Sequence, residues 1–138
     1  MKSLLEEHAR TGWEFAWAYT GRSDAATACL AEAFRGLEAE PPPTQEPHRR
    51  RAVWKALVDA CRRQVAGQDP GGAESEDPRL KALLALPLEL REALLFLRYH
   101  GAGADDLAAA LGCSPPEGLA RAQRALSRLA LSRAVPGP

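Results

Sequence analysis

The sequence is poor in the residues that build redox or metal sites. Its three cysteines, Cys29, Cys61 and Cys113, lie far apart, and no CxxC pair or histidine–cysteine cluster with metal-ligand spacing occurs. Each cysteine has alanine or leucine close by, a setting typical of a buried free thiol in a reducing compartment. We therefore expect three free thiols, no metal ion and no cofactor.

Groupings of catalytic residues are also missing. The three histidines, His8, His48 and His100, are isolated, and no His/Asp/Ser constellation or glycine-rich phosphate loop occurs. We expect no catalytic residues, no small-molecule substrate and therefore no enzyme.

Long apolar runs are absent as well. No run approaches about 18 apolar residues, and the start of the chain, MKSLLEEHAR, lacks the apolar core of a secretory signal. We expect no membrane segment and a cytoplasmic location.

Strand-forming residues are scarce, since the chain has no isoleucine and only four valines, while alanine and leucine abound. Apolar residues recur at helical spacing and nowhere alternate over the length of a strand. The pattern predicts an all-α protein. Helices are predicted over residues 3–19, 23–37, 48–66, 78–87, 88–99 and 104–111, followed by a last helix that starts at Ser114.

Several helix ends have a strong local signature. Asp77 and Ser114 are each followed by a proline, and Glu117 completes a capping box with Ser114. The prolines near residue 115 therefore start the last helix and do not break it. Gly112 is predicted to end the helix before it, and Ser3 to cap the first helix.

Charge is segregated along a chain whose formal net charge is zero. Residues 41–67 carry six basic and two acidic side chains, and residues 114–138 carry four and one. Between them, residues 68–77 carry four acidic and no basic side chains, in a composition typical of a linker. We predict two small helical domains, 1–67 and 78–138, joined by an acidic flexible linker. The basic segments fit two surfaces that face a polyanion, although solvated helix faces give the same pattern.

The last helix is predicted to be basic and amphipathic. Its predicted buried stripe, spaced at i, i+3, i+7 and i+10, consists of Leu119, Ala122, Leu126 and Leu129. Arg121, Arg124 and Arg128 lie on a different face, and guanidinium groups bind phosphates or pair with guanine. Basic faces are also common on helices that meet only solvent. The preceding short helix and glycine-containing turn favour DNA binding, because helix pairs of this kind read DNA.

Residues 84–129, LALPLELREALLFLRYHGAGADDLAAALGCSPPEGLARAQRALSRL, carry an extended motif. The motif resembles the C-terminal domain of small bacterial RNA polymerase sigma factors of the extracytoplasmic-function (ECF) type. Its matching positions are Leu86, Pro87, Arg91, Gly101, Asp106, Leu107, Ala108, Leu111, Gly112, Ser114, Arg121, Arg124, Ala125 and Leu129. The first half resembles the family's polymerase-binding domain less closely, with matches at Thr20, Gly21, Ala26, Glu32, Phe34 and Arg35.

The resemblance implies a protein that binds core RNA polymerase and promoter DNA, with an anti-sigma protein as a further partner. It implies DNA contacts in a C-terminal helix-turn-helix by Arg121, Gln123, Arg124 and Arg128. The arginines would contact phosphates and the glutamine a base edge. The residues available on the third helix for single-stranded promoter DNA are Arg49, Arg50, Arg51, Lys55, Arg62 and Arg63. Glu32 and Arg35 match polymerase-binding positions. Trp54 of the third helix is a further candidate for the single strand, but its place beside the apolar stripe favours a position in the core.

Several positions depart from the family pattern. The family's polar polymerase contacts fall on Ala28 and Ala31, so we expect weaker binding to core polymerase. Gly118, Leu119 and Ala120 occupy the turn expected to face the bases, and the glycine weakens the helix by roughly 1 kcal/mol relative to alanine. Binding to duplex DNA is therefore expected to be weak, salt-sensitive and poorly sequence-selective. The alternative is a degenerate sigma-like regulator that acts through contacts with polymerase, an anti-sigma protein or itself, without promoter-specific initiation.

Overall fold

The computed structural model describes the chain over residues 4–67, 74–100 and 103–134. Within these ranges the chain forms helices and no strand, which confirms the all-α prediction. The helices are α1 (Leu4–Thr20), α2 (Ser23–Ala39), α3 (His48–Ala66), α4 (Pro78–Leu84), α5 (Leu88–His100), α6 (Ala104–Leu111) and α7 (Pro115–Ala134).

Helix boundaries follow from local chemistry. The Asp77 carboxylate accepts a backbone N–H of the first turn of α4 at 2.9 Å, and Ser114 Oγ accepts one from α7 at 3.3 Å. Gly112 ends α6 with φ +75°, a left-handed conformation that glycine adopts without strain. These three ends confirm the predictions made from the sequence, while the cap predicted at Ser3 lies outside the described residues.

The end of the predicted linker docks onto the start of α2. The Glu74 carboxylate accepts the backbone N–H of Ser23 and, at 3.0 Å, its hydroxyl, while the Glu74 N–H donates to the Gly21 carbonyl at 2.9 Å. A carboxylate at a helix N-terminus satisfies a free N–H and interacts favourably with the helix dipole. The cap of α2 therefore comes from a residue 51 positions away in the sequence. The flexibility predicted for the linker falls on residues 68–73, outside the described residues.

One hydrophobic core contains helices from both predicted domains. Trp54 of α3 packs edge-on against Phe15 of α1 and Phe96 of α5, with ring centroids 5.3 and 5.6 Å apart. All three rings are buried, which confirms the prediction that Trp54 belongs to the core. Edge-to-face aromatic pairs add about 0.5–1.5 kcal/mol to the stabilisation from buried area alone. The described parts of the two predicted domains thus share a core, and the division of the chain into two domains stays a prediction.

The cysteines are free thiols, as expected. Cys29 and Cys61 are buried in the shared core, and Cys113 is half-buried. Burial raises the pKa of the Cys61 thiol. Because the thiolate is the reactive form, a raised pKa fits a packing role for this residue.

Gly118 is buried between α7 and α6, so the expectation that it faces the bases is wrong. A Cβ at this position would stand 3.0 Å from Leu107 Cδ2 and 3.1 Å from Leu107 Cγ. The missing side chain lets the two helices approach closely. The sequence does not show this, because Gly118 and Leu107 meet only after the helices have packed.

Replacing Gly118 with alanine is expected to destabilise the protein, although alanine is the better helix former. The helix preference favours alanine by about 1 kcal/mol, but the added Cβ displaces Leu107, and overpacking costs about 1–3 kcal/mol. Gly36 of α2 is the matched control, because a Cβ there meets no neighbouring atom within 4 Å. Gly36→Ala should stabilise the protein by up to about 1 kcal/mol. Urea unfolding measures the change in the free energy of unfolding for both variants. A stabilising Gly118→Ala would contradict the described packing of α6 on α7.

Candidate nucleic-acid interface

The buried face of α7 differs from the predicted stripe. The face that packs onto α5 and α6 consists of Gly118, Ala122, Ala125 and Leu129. Leu119 and Leu126, predicted to be buried, are 42% and 56% exposed. Helices cross closely where side chains are small, so the glycine and alanines define the packing face and the two leucines point away from it. The prediction was wrong for those leucines and correct for Ala122, while Leu129 packs against the core and is half-buried.

The solvent side of α7 carries three of its four predicted DNA-binding residues. Gln123, Arg124 and Arg128 are exposed, and among the side chains that the structure describes none of them has a carboxylate partner. Arg121 is different, because its side chain is only 19% exposed and its Nε lies 3.3 Å from Glu117 and 3.8 Å from Glu89. Of the three arginines predicted to contact phosphates, Arg124 and Arg128 are therefore exposed to an approaching phosphate, while Arg121 is held between two carboxylates.

The six predicted DNA-binding cations of α3 all have carboxylate partners within the chain. Three of them form ion pairs with residues of the first half, namely Arg49 with Glu46, Lys55 with Asp59 and Arg63 with Glu32. Pairs of this exposed kind contribute about 0–1 kcal/mol each. The other three, Arg50, Arg51 and Arg62, pair with residues of the second half. The basic face of α3 is therefore occupied in this conformation, which sequence spacing does not reveal.

Glu92 of α5 is the centre of a buried polar cluster. Its carboxylate accepts hydrogen bonds from Arg62 Nε at 2.6 Å and Nη2 at 3.1 Å, and another from the Tyr19 hydroxyl. Hydrogen bonding to Glu92 raises the pKa of Arg62 although burial opposes it, so the guanidinium stays charged. Burial, and then the charge of Glu92, raise the pKa of Tyr19, so its hydroxyl stays protonated and donates. One carboxylate therefore ties α5 to both α3 and α1.

Asp106, in the first turn of α6, makes the second connection to α3. Its side chain is 8% exposed, and it pairs with Arg51 and, at 3.4 Å, with Arg50. The neighbouring Asp105 is exposed and has no cationic partner among the described side chains. Both carboxylates lie at the positive end of the α6 dipole, but only Asp106 reaches another helix.

Arg91, one of the positions that match the sigma-factor motif, makes contacts within the protein that hold two helices together. Its Nη1 donates to the Tyr19 backbone carbonyl at 2.5 Å, and its guanidinium lies 5.7 Å from the centroid of the Tyr19 ring. Burial lowers the pKa of Arg91 below its ordinary value. This residue connects α5 to the C-terminal end of α1. The sequence motif marks Arg91 as a matching position, but the spacing of the motif does not indicate a contact with Tyr19.

The predicted polymerase-binding residues lie on α2. Glu32 is half-buried and paired with Arg63 of α3, whereas Arg35 is exposed and donates to the Ala31 carbonyl at 3.2 Å. Ala31 is exposed and Ala28 half-buried. The surface available to a partner on this face is thus Arg35 and Ala31, while Glu32 already binds a cation of its own chain.

The chain matches no protein-family model, and no curated protein or solved structure is significantly similar to it. The resemblance to ECF sigma factors therefore rests on the sequence motifs. Within the described residues, no helix is both long and apolar enough to cross a membrane. The same part of the chain brings no three His, Cys, Asp or Glu side chains together as a metal site.

Proposed function

We propose that the chain is a sigma-factor-like transcription protein of the ECF type, which binds duplex DNA through α7 and core RNA polymerase through its first half. The observation that carries the proposal is the exposed face of α7, which follows a short helix and a left-handed turn at Gly112. On this face Gln123, Arg124 and Arg128 have no carboxylate partner among the described side chains. Two helices joined in this way are the arrangement of a helix-turn-helix, whose second helix enters the major groove.

The composition of this face determines the kind of binding. Arg124 and Arg128 supply charge for phosphates, and Gln123 is the polar side chain beside them that suits a base edge. The exposed Leu119 and the half-buried Ala120 offer no hydrogen bonds to bases. Binding should therefore depend strongly on salt and only weakly on sequence.

Arg124→Ala is the test of this surface. The variant should lose affinity to a similar extent on all duplexes, and the slope of log K against log salt should become shallower by about 1, because one phosphate contact is removed. The control is Arg10→Ala on α1, where the arginine side chain is 93% exposed and pairs with Glu14 at 3.5 Å. Fluorescence anisotropy on several unrelated duplexes gives both quantities. Tight, sequence-selective binding, or an Arg124→Ala slope equal to that of Arg10→Ala, would contradict the assignment.

The second candidate is a sigma-like regulator that works through protein contacts alone. It is favoured by the six α3 cations being paired within the chain and by the exposed Leu119 and Leu126 on α7. Pull-down with core RNA polymerase followed by transcription from a genomic fragment library separates the two. Polymerase binding without transcription, together with no duplex binding at low salt, would select the regulator.

A further inference from the structure

We propose that Asp106 and Glu92 form a carboxylate latch. Their carboxylates occupy the places at which nucleic-acid phosphates would otherwise bind three of the α3 arginines, namely Arg50, Arg51 and Arg62. Single-stranded nucleic acid therefore binds the basic face of α3 only when α3 separates from α5 and α6. The inference rests on the proposed function in assigning nucleic acid as the partner, and it adds how access to the α3 surface is regulated.

The geometry of the latch is that of phosphate recognition. Glu92 receives two parallel hydrogen bonds from Arg62, at 2.6 and 3.1 Å, which is the fork by which arginine holds either carboxylate or phosphate. Asp106 receives Arg51 and Arg50 from two successive positions of α3. The two contact points are 11 residues apart, which is about 17 Å along a helix. Carboxylates of the second half thus cover the basic face of α3 at both ends.

Burial is distributed unequally within these pairs. The Asp106 and Glu92 side chains are 8% and 3% exposed, whereas the three arginines are 32–44% exposed. Each cation therefore keeps one side in water, where a polyanion can approach, while its carboxylate is inaccessible. A strand that binds all three arginines has to displace the carboxylates, so strand binding and the closed arrangement exclude each other.

The two carboxylates differ in what else they hold. Glu92 also accepts the Tyr19 hydroxyl and lies within the polar cluster of α1, α3 and α5. Asp106 lies in the first turn of α6 and connects α6 to α3. Removing the charge of Asp106 therefore releases Arg50 and Arg51 and leaves the Glu92 cluster in place, which makes Asp106 the position at which to test the latch.

The test compares Asp106→Asn with Asp105→Asn, which makes the same change of charge one residue away at an exposed position. Both are made in the Arg124→Ala/Arg128→Ala background, so that α7 does not contribute. The probe is a labelled 20-nucleotide oligothymidine strand. Asp106→Asn should bind it about tenfold more tightly than Asp105→Asn. The slope of log K against log salt should be steeper by about 1.4, because two more arginines neutralise one phosphate each and each phosphate on a single strand contributes about 0.7 to the slope. Adding Arg50→Ala and Arg51→Ala should abolish the gain.

The outcomes separate the latch from the function on which it rests. If the Arg124→Ala/Arg128→Ala background loses duplex binding, the proposed function is supported. If it keeps duplex binding, the proposed function is contradicted and the latch is not affected. Equal oligothymidine binding by Asp106→Asn and Asp105→Asn overturns the latch. Circular dichroism checks that the variants are folded, and Asp106→Glu, which keeps the charge, should bind as the background does.

Hydrogen exchange of the unaltered protein gives a second measurement that needs no variant. Saturating oligothymidine should accelerate exchange of the α6 backbone amides, because α6 loses its contact with α3 when the strand binds. Unchanged or slower exchange in α6 with the strand bound to α3 overturns the latch, even where Asp106→Asn does not fold.

Discussion

Replacing Glu92 with alanine is expected to lower the free energy of unfolding by about 3 kcal/mol, a large share of the 5–15 kcal/mol of a typical domain. The change leaves the Arg62 guanidinium with the Leu111 carbonyl at 3.1 Å and the more distant Asp59 carboxylate at 3.9 Å. It also removes the acceptor of the Tyr19 hydroxyl. Breaking a buried ion pair costs about 3–5 kcal/mol, and the 37% exposure of Arg62 places this case at the lower end, because water replaces part of the interaction. Urea unfolding measures the loss.

Glu89→Ala is the matched control on the same helix. Glu89 is 63% exposed and lies 3.8 Å from Arg121, so its removal should change stability by no more than about 0.5 kcal/mol. A double variant, Arg62→Met with Glu92→Leu, should recover most of the stability, since it leaves no uncompensated charge. Similar small losses for Glu89→Ala and Glu92→Ala would show that Glu92 is solvated and does not hold the helices together.

Phe96→Ala is expected to cost about 3–5 kcal/mol, the range for removing a buried aromatic ring. Phe96 is 1% exposed and packs against Trp54 at a ring separation of 5.6 Å, so the cavity opens in the core shared by α3 and α5. Thermal unfolding followed by circular dichroism should show one transition shifted to lower temperature. The control is Leu126→Ala, because that leucine is 56% exposed and its truncation leaves no buried cavity. Two separate transitions, or a loss no larger than that of Leu126→Ala, would contradict a shared core.

The helix ends could be predicted because each signal and its target lie within a few residues of one another. Asp77 and Ser114 accept N–H groups from their own first turns, and Gly112 adopts the left-handed conformation that its missing Cβ allows. The helices of the described residues follow from such local signals together with the helical spacing of apolar residues, although α4 ends at Leu84 and the prediction carried it to residue 87. These are properties of the sequence that tertiary packing did not override.

The candidate interface could be predicted only in part, since its exposure depends on contacts between distant residues. Arg62 and Glu92 are 30 positions apart and Arg51 and Asp106 are 55 apart, and nothing in their spacing indicates that they meet. The sequence therefore showed which cations α3 carries without showing that they are already bound. On α7, Arg124 and Arg128 were correctly predicted to lie on an exposed face. They have no such distant partners among the described side chains, so the spacing within the helix was sufficient.

The α7 packing face shows a different limit of sequence reasoning. Hydrophobicity ranks leucine above alanine and glycine, so Leu119 and Leu126 were assigned to the core. Close helix crossing selects small residues instead, and Gly118 lies so near Leu107 that an added methyl group would have to displace that side chain by a few tenths of an ångström. The choice between these two faces is made by the neighbouring helix, which the spacing within α7 does not describe.

The docking of Glu74 on α2 bears on how the chain can be cut into fragments. A fragment ending at residue 67 would lack Glu74, which satisfies the Ser23 N–H, and Phe96, which covers one side of Trp54. The complementary fragment would carry Phe96 without the Trp54 ring that packs against it. Each fragment would thus expose to water an aromatic surface that the other fragment covers in the intact chain. The covalent connection between them consequently works as a tether, which keeps two complementary surfaces at high effective concentration.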